Sequence, residues 1–271
     1  MSQHVLFERR EDGVVLVTLN RPHRHNACDG AMIAHLTRIF RDVGADDSAR
    51  VVVLAARGAS FSRGADIERL RGFGADTFDA NVAEALELAQ LLKAIHQCPR
   101  PVLAVVQGAA FAEGAGLVAA SDIAIASETA SFAFTEASFG MIPSVAAPYL
   151  VAAIGARACR RYFLTAESFS AAEALRLGLV HGVVPDGDLA AARDVLLGRL
   201  LAASPEAQGS AKELIRAVTG RADNDTLFSD TAHRAAKARA SSDGREGVAA
   251  LIEKRKPRWA GDPLPPEPGP E

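Results

Sequence analysis

The amino-acid sequence predicts an α/β fold followed by a helical region. Over the first two thirds of the chain, short apolar runs typical of buried strands alternate with segments of helical periodicity, and loops rich in small residues separate them. From about Leu189 the pattern is helical almost throughout. Functional groups of α/β folds usually lie on the loops that leave the strands, so we expect the site of this chain there.

The N-terminal elements are the clearest. Two apolar runs, Val5–Arg9 and Val14–Leu19, flank Glu11-Asp12-Gly13 and predict a β-hairpin. Asp29–Val43 carries apolar residues at helical spacing, and Val51–Ala55 is typical of a buried strand.

The middle of the chain repeats the same order of elements. Phe78–His96 has helical periodicity, and Pro99 and Pro101 prevent that helix from continuing. Val102–Val106 and Ile123–Ala126 then predict two further strands. This recurrence of strand, loop and helix favours the α/β class.

The last third predicts helices that serve as an oligomerisation surface. The predicted helices are Leu189–Leu201, Glu206–Val218, Asp225–Ala240 and Gly244–Lys254. We expect a core over residues 1–200, a helical oligomerisation region over 201–260, and an extended tail over 261–271. The tail is rich in proline and acidic residues and has almost nothing apolar to bury.

Composition narrows the class of partners. The 271 residues are 49% hydrophobic with a formal net charge of -3, which gives no field that would gather nucleic acid or an anionic membrane. The cysteines Cys28, Cys98 and Cys159 are far apart, so they predict neither a disulfide framework nor a zinc site. With no apolar run near the roughly 20 residues of a membrane span, we expect a soluble cytoplasmic protein.

Four stretches together resemble the crotonase superfamily, the enoyl-CoA hydratases and isomerases. They are LNRPHRHNA at 19–27, FSRGADI at 61–67, QGAAFAEGAGLVAASDIAIAS at 107–127 and EGVAALIEKRKPRW at 246–259. The resemblance implies a spiral core of ββα turns and C-terminal helices that build homotrimers, often paired into hexamers. It also implies an acyl-CoA thioester substrate, with coenzyme A entering as part of the substrate and no separate cofactor or metal.

An enolate formed from a thioester places negative charge on its carbonyl oxygen, so its stabilisation needs preorganised N–H donors. By resemblance, the donors are the backbone N–H groups of Ala65 and Glu113. The family has three glycines at 112–114, where this chain has Ala112-Glu113-Gly114. We expect the Glu113 side chain to point to the surface and only its N–H to contribute. The alternative is that this side chain acts in the reaction.

The acid–base group implied by the resemblance is Glu136. Family hydratases carry two catalytic glutamates; Gly116 occupies the first position in this chain and Glu136 the second. Apolar neighbours should desolvate Glu136 and raise its pKa toward the range useful for proton transfer. The alternative is a carboxylate at a helix N-terminus with no chemical role.

The pattern around Gly116 is similar to that of the bacterial methylglutaconyl-CoA hydratase branch, whose substrates are bulky and carry an extra carboxylate. Absence of a side chain at Gly116 would leave room for such a group. The resemblance implies contacts to the CoA or acyl part of the substrate from Arg24, Ala65, Asp66, Ile67, Gly114, Gly116, Lys254 and Trp259.

These observations predict an enzyme that adds water to an α,β-unsaturated acyl-CoA thioester. An isomerase that moves the double bond needs the same groups, and a non-catalytic CoA-binding subunit is the rival from another class. His23 and His25 could form a metal pair, but the sequence offers no third ligand at suitable spacing, so a loop that is solvated or lines the substrate site is favoured.

Overall fold

The computed structural model describes residues 4–73 and 77–260. The chain forms two compact units. The first comprises the residues up to Cys98 together with Val102–Arg193, and the second comprises Pro99–Pro101 together with the residues from Asp194 onward. The expected tail at 261–271 lies outside the described residues.

Strands and helices alternate along the chain. The strands are β1 Val5–Arg9, β2 Val14–Leu19, β3 Val51–Ala56, β4 Ser60–Ser62, β5 Val102–Val106, β6 Ala109–Phe111, β7 Ile123–Ser127, β8 Ser131–Ala133, β9 Phe169–Ser170 and β10 Gly182–Val184. The helices are α1 Gly30–Gly44, α2 Ile67–Phe73, α3 Phe78–His96, α4 Glu113–Ala120, α5 Ala147–Thr165, α6 Ala171–Leu177, α7 Leu189–Ala202, α8 Pro205–Val218, α9 Asp225–Ala240 and α10 Ser242–Ile252. Within the described residues, none of these helices has the length and apolar character needed to cross a membrane.

The first unit contains two sheets. The larger has the order β1-β2-β3-β5-β7-β10, with an antiparallel hairpin at its edge and parallel pairing elsewhere. Its central strands β3, β5 and β7 are buried along nearly their whole length, as in sheets covered on both faces. The smaller sheet has the order β4-β6-β8-β9, and its first three strands are parallel. The predicted α/β class is confirmed.

Local sequence explains the main helix boundaries. The Asp29 carboxylate accepts a hydrogen bond from the Met32 N–H and begins α1, and the Thr77 hydroxyl does the same for the Ala80 N–H at α3. The predicted hairpin, α3 and α9 have the expected bounds. The short elements β4, β9 and α2 were not predicted, because runs of two to seven residues carry little periodicity.

The second unit is helical, as the sequence predicts. Ser204, Asn224 and Ser241 cap the N-termini of α8, α9 and α10 with their side chains. Large apolar side chains stay exposed on these helices: Ile215, Phe228, Val248, Leu251 and Ile252. Exposure of that kind marks interaction surfaces. Oligomerisation through this unit stays a prediction.

Candidate active site

Three neighbouring strands of the smaller sheet bring the predicted chemical groups together. Ala65 follows the end of β4, Glu113 follows β6 and Glu136 follows β8, each within three residues of its strand. Because β4, β6 and β8 are parallel neighbours, their carboxyl ends meet at one edge of the sheet. The loop positions predicted from the sequence therefore converge.

A cavity of about 600 Å³ lies where these loops meet, and Ala65, Glu113 and Glu136 all line it. Its apolar lining includes Leu70, Leu88, Phe111, Phe139, Met141, Ile142 and Val145. Its charged lining consists of Arg63, Arg69, Glu84, Glu113 and Glu136. An apolar wall with a few convergent polar groups is typical of sites for small molecules.

The backbone around Ala65 is fixed by hydrogen bonds to a neighbouring loop. The Cys28 N–H donates to the Gly64 carbonyl oxygen at 2.7 Å, and the Asp66 N–H donates to the Cys28 carbonyl oxygen at 2.9 Å. Asp66 is only 3% exposed and pairs with the Arg21 guanidinium at 2.8 Å. Asp66, expected to contact substrate, thus has a structural partner and anchors the loop that carries Ala65.

The turn into α4 is tightly constrained. Ala112 has φ 46° and ψ -116°, a region that side chains disfavour, and Glu113 is the first helical residue. A Cβ atom on Gly114 would lie 2.4 Å from the Ser62 carbonyl oxygen, so only glycine fits there. The strained Ala112 and the close approach at Gly114 hold the Glu113 N–H at the N-terminus of the helix, where the helix dipole favours an anion.

The Glu113 carboxyl group is buried, and the expectation that it points to the surface is wrong. Its side chain is 14% exposed, and Oε1 lies 3.3 Å from Nη1 of Arg69. Oε2 is buried and has no hydrogen-bond partner. Arg69, which also pairs with Glu84, supplies the charge partner that makes the inward conformation tolerable.

Burial raises the pKa of the Glu113 carboxyl, while Arg69 and the backbone N–H groups of Glu113 and Ala65 act in the opposite direction. The two residues whose N–H groups the resemblance marks as donors are therefore both near this carboxyl group, whose hydrogen-bond partner is the Arg69 guanidinium.

The carboxyl group of Glu136 lies half-buried on the short 3-10 helix Thr135–Phe139. Its Oε2 is buried without a hydrogen-bond partner. Burial, together with a smaller effect of the nearby Glu113 carboxylate, raises the pKa of Glu136 to about 7, against the effect of its own backbone N–H. A carboxyl group with this pKa can both accept and release a proton near neutral pH.

The space beside Gly116 is filled, which corrects the expectation of room for a larger acyl group. A Cβ atom on Gly116 would lie 3.0 Å from the Ala146 Cβ and 3.6 Å from Leu92 Cδ1. Gly116 is also not among the residues that line the cavity. Side chains from α3 and from the start of α5 occupy the place that its missing side chain leaves.

The other predicted contacts lie outside this cavity. Arg24 is exposed at the end of the 3-10 helix Pro22–Arg24, and Ile67 begins α2 with 56% of its surface exposed. Lys254 and Trp259 belong to the second unit, where the Trp259 ring lies 3.3 Å from the Cβ position of Gly247.

No group of three or more potential metal ligands occurs in residues 4–73 and 77–260. Of the two histidines considered as a metal pair, His23 and His25, the second has its Nδ1 3.1 Å from the Ser60 hydroxyl oxygen.

Sequence reasoning missed the arginines and Glu84 of the cavity. Arg69 is the third residue of the short helix α2, and no local signal indicated that its side chain faces the cavity. The contribution of Glu84 from α3 had no local signal, because it depends on how α3 packs.

An apolar cavity lined by Ala65, by the helix N-terminus at Glu113 and by a half-buried carboxyl group is suited to stabilising an enolate. The sequence model of the family described as enoyl-CoA hydratase/isomerase matches residues 9–262. The chain belongs to this family of enzymes.

Individual relatives are similar over nearly the whole chain. A solved enoyl-CoA hydratase from Shewanella pealeana ATCC 700345 is 37% identical with a TM-score of 0.92, covering 95% of this chain and 96% of its own. The structure of Pseudomonas aeruginosa AtuE is 36% identical with a TM-score of 0.91, covering 96% of this chain and 100% of its own. The mitochondrial enoyl-CoA hydratase domain-containing protein 3 of Mus musculus is 33% identical, over 93% of this chain and 83% of the mouse protein.

Proposed function

We propose that this protein adds water to the double bond of an α,β-unsaturated acyl-CoA thioester. The observation that carries the proposal is one largely apolar cavity lined by Glu136 and by Ala65 and Glu113, the two residues whose backbone N–H groups are the expected donors. These two N–H groups would hold the thioester oxygen, and the apolar wall would take the acyl chain.

In the proposed reaction, the oxygen of water forms a bond to the β-carbon. The π electrons of the double bond move toward the α-carbon and the thioester oxygen, where the N–H groups of Ala65 and Glu113 stabilise the charge. The Glu136 carboxylate accepts the proton that water loses and delivers a proton to the α-carbon. The product is the β-hydroxyacyl thioester, and Glu136 returns to its starting state.

The second candidate is an isomerase that moves the double bond. One carboxyl group can carry a proton between the α- and γ-carbons. Of the two positions where family hydratases have glutamates, this chain has glycine at 116 and a carboxyl group at Glu136. The space beside Gly116 is filled by neighbouring side chains. A non-catalytic CoA-binding subunit is the third candidate, favoured by Ala112-Glu113 in place of glycines. Turnover of any enoyl-CoA would exclude it.

For the substrate, we propose a branched glutaconyl-type thioester, because the sequence around Gly116 is similar to the methylglutaconyl-CoA hydratase branch. We also propose a homotrimer or a pair of trimers, supported by the exposed apolar side chains of the second unit. A cytoplasmic location is supported by the three free cysteines.

The test is to incubate the purified protein with short, long, branched and glutaconyl enoyl-CoA thioesters. Mass spectrometry detects the 18 Da gain of hydration, and chromatography separates substrates whose double bond has moved. Hydration of at least one thioester supports the first candidate if the hydration is lost when Glu136 is replaced. Migration without hydration supports the second.

A further inference from the structure

One cation of the cavity lining has no carboxylate partner. Arg63 and Arg69 both line the cavity. The Arg69 guanidinium already pairs with two carboxyl groups, those of Glu84 and Glu113. In the part of the chain that the structure describes, the Arg63 guanidinium takes part in neither an ion pair nor a hydrogen bond. Arg63 is therefore the guanidinium of the cavity that can take an anionic ligand without losing a partner.

The contacts of Arg63 hold its side chain on the wall of the cavity. Its backbone N–H donates to the His25 carbonyl oxygen at 3.1 Å. Its guanidinium carbon lies 5.8 Å from the centroid of the Phe111 ring, which also lines the cavity. This cation–π contact orients the guanidinium but satisfies none of its N–H donors. Those donors stay available for a ligand.

Arg63 is close to the place proposed for the thioester group. It comes directly after β4 and two residues before Ala65, whose N–H is the expected donor to the thioester oxygen. Two residues of extended chain span at most about 7 Å. This proximity favours an anion that is near the thioester in the substrate itself. A carboxylate on a short acyl chain meets that condition, whereas the long pantetheine arm separates the phosphates of coenzyme A from the thioester.

The cavity as a whole does not attract anions, so recognition of a carboxylate needs a direct contact. The lining has the three carboxyl groups of Glu84, Glu113 and Glu136 against two guanidinium groups. The space beside Gly116, where a larger acyl group was expected, is filled by neighbouring side chains. A guanidinium presents a planar pair of N–H donors that matches the two oxygens of a carboxylate, and Arg63 has such a pair to offer.

We propose that Arg63 binds a carboxylate carried on the acyl chain, and so gives this enzyme a preference for anionic acyl groups. The proposal rests on the proposed function, which places the thioester at Ala65, and it assigns the recognition of a glutaconyl-type substrate to one side chain. Arg63 is exposed, so the ion pair forms at the mouth of the cavity. The Phe111 ring supports the guanidinium there.

The test compares two saturated thioesters that bind without reacting, glutaryl-CoA and pentanoyl-CoA. Their acyl chains are equally long, but only the glutaryl chain ends in a carboxylate. Isothermal titration calorimetry at pH 8 gives the affinities of the wild-type protein and of Arg63→Met. We expect the variant to bind glutaryl-CoA more weakly by roughly fivefold or more, equivalent to about 1 kcal/mol, the size of a partly solvated ion pair. Its affinity for pentanoyl-CoA should be unchanged.

Two further variants separate a specific contact from a general effect of charge. Arg63→Lys keeps the positive charge but loses the planar pair of donors, so it should recover only part of the affinity lost in Arg63→Met. Arg71→Met removes an exposed arginine of α2 that pairs with Glu68, and it should change neither affinity. In turnover, Arg63→Met should raise KM for glutaconyl-CoA and leave kcat unchanged, because the contact is the same in the ground state and the transition state.

Equal loss of affinity for both thioesters would assign Arg63 to the coenzyme A part of the substrate and overturn the inference. So would an unchanged affinity for glutaryl-CoA, or a wild-type protein that does not bind glutaryl-CoA. A preference for glutaryl-CoA that depends on Arg63, in a protein that hydrates no thioester, would refute the proposed function and leave the inference standing. Hydration of uncharged thioesters, with no effect of Arg63 on glutaryl-CoA, would do the reverse.

Discussion

Replacing Glu136 with glutamine should separate catalysis from stability. The Oε2 atom of Glu136 is buried without a hydrogen-bond partner, and burial raises the pKa of this carboxyl group to about 7. Glutamine has almost the same shape but never ionises. We expect Glu136→Gln to lower turnover by roughly a hundredfold or more, because it removes the proton carrier and leaves the oxyanion donors in place.

The same substitution should stabilise the folded protein at alkaline pH. A glutamate whose pKa rises from 4.5 to about 7 on folding binds its proton more tightly in the folded state. Its contribution to stability is therefore full below pH 4.5 and is lost as the pH rises through 7. At 1.36 kcal/mol per pKa unit the loss is about 3 kcal/mol, an upper figure because solvent reaches part of the side chain. The variant escapes this loss.

The assay combines hydration rates with urea unfolding at pH 4 and pH 8. We expect equal free energies of unfolding for wild type and Glu136→Gln at pH 4, and a higher value for the variant at pH 8. Glu68→Gln, an exposed glutamate paired with Arg71, is the matched control and should change neither quantity appreciably. Unchanged turnover in Glu136→Gln, or lower stability at pH 8, would refute the reasoning.

Three further outcomes follow from the same geometry. Glu113→Pro deletes the second N–H donor and should lower the hydration rate by roughly 10² to 10³. The control is Glu113→Ala, which keeps that donor. Equal hydration rates for the two variants would show that the N–H of residue 113 takes no part in the reaction. Gly116→Glu should not raise the hydration rate and should lower the midpoint of unfolding, because the new Cβ would lie 3.0 Å from the Ala146 Cβ. Faster hydration would show that the space beside Gly116 opens to admit a side chain. Light scattering coupled to gel filtration should give a mass near three or six times 28.4 kDa, and a monomer at micromolar concentration would contradict the oligomerisation surface.

The sequence was a reliable guide where a signal is local. Apolar periodicity predicted α3 and the hairpin, and the resemblance to the family singled out Ala65, Glu113 and Glu136, which the structure has directly after strands. The direction of the Glu113 side chain had no such signal, because Arg69 and Gly64 determine it from a different part of the chain. The filling of space at Gly116 by Leu92 and Ala146 is likewise a matter of packing between separate helices. Such contacts arise only when the chain is folded.

The position of Ala65, Glu113 and Glu136 at the ends of three separate parallel strands has a consequence for how such an enzyme can diverge. Each group is encoded in its own short loop, and the strands beneath are held by backbone hydrogen bonds that do not depend on loop sequence. A substitution or insertion in one loop can therefore alter one function, such as proton transfer, while the other two are inherited unchanged. Glu113 lies at one such position, where the family pattern has glycine, and its side chain adds a contact to Arg69 of α2.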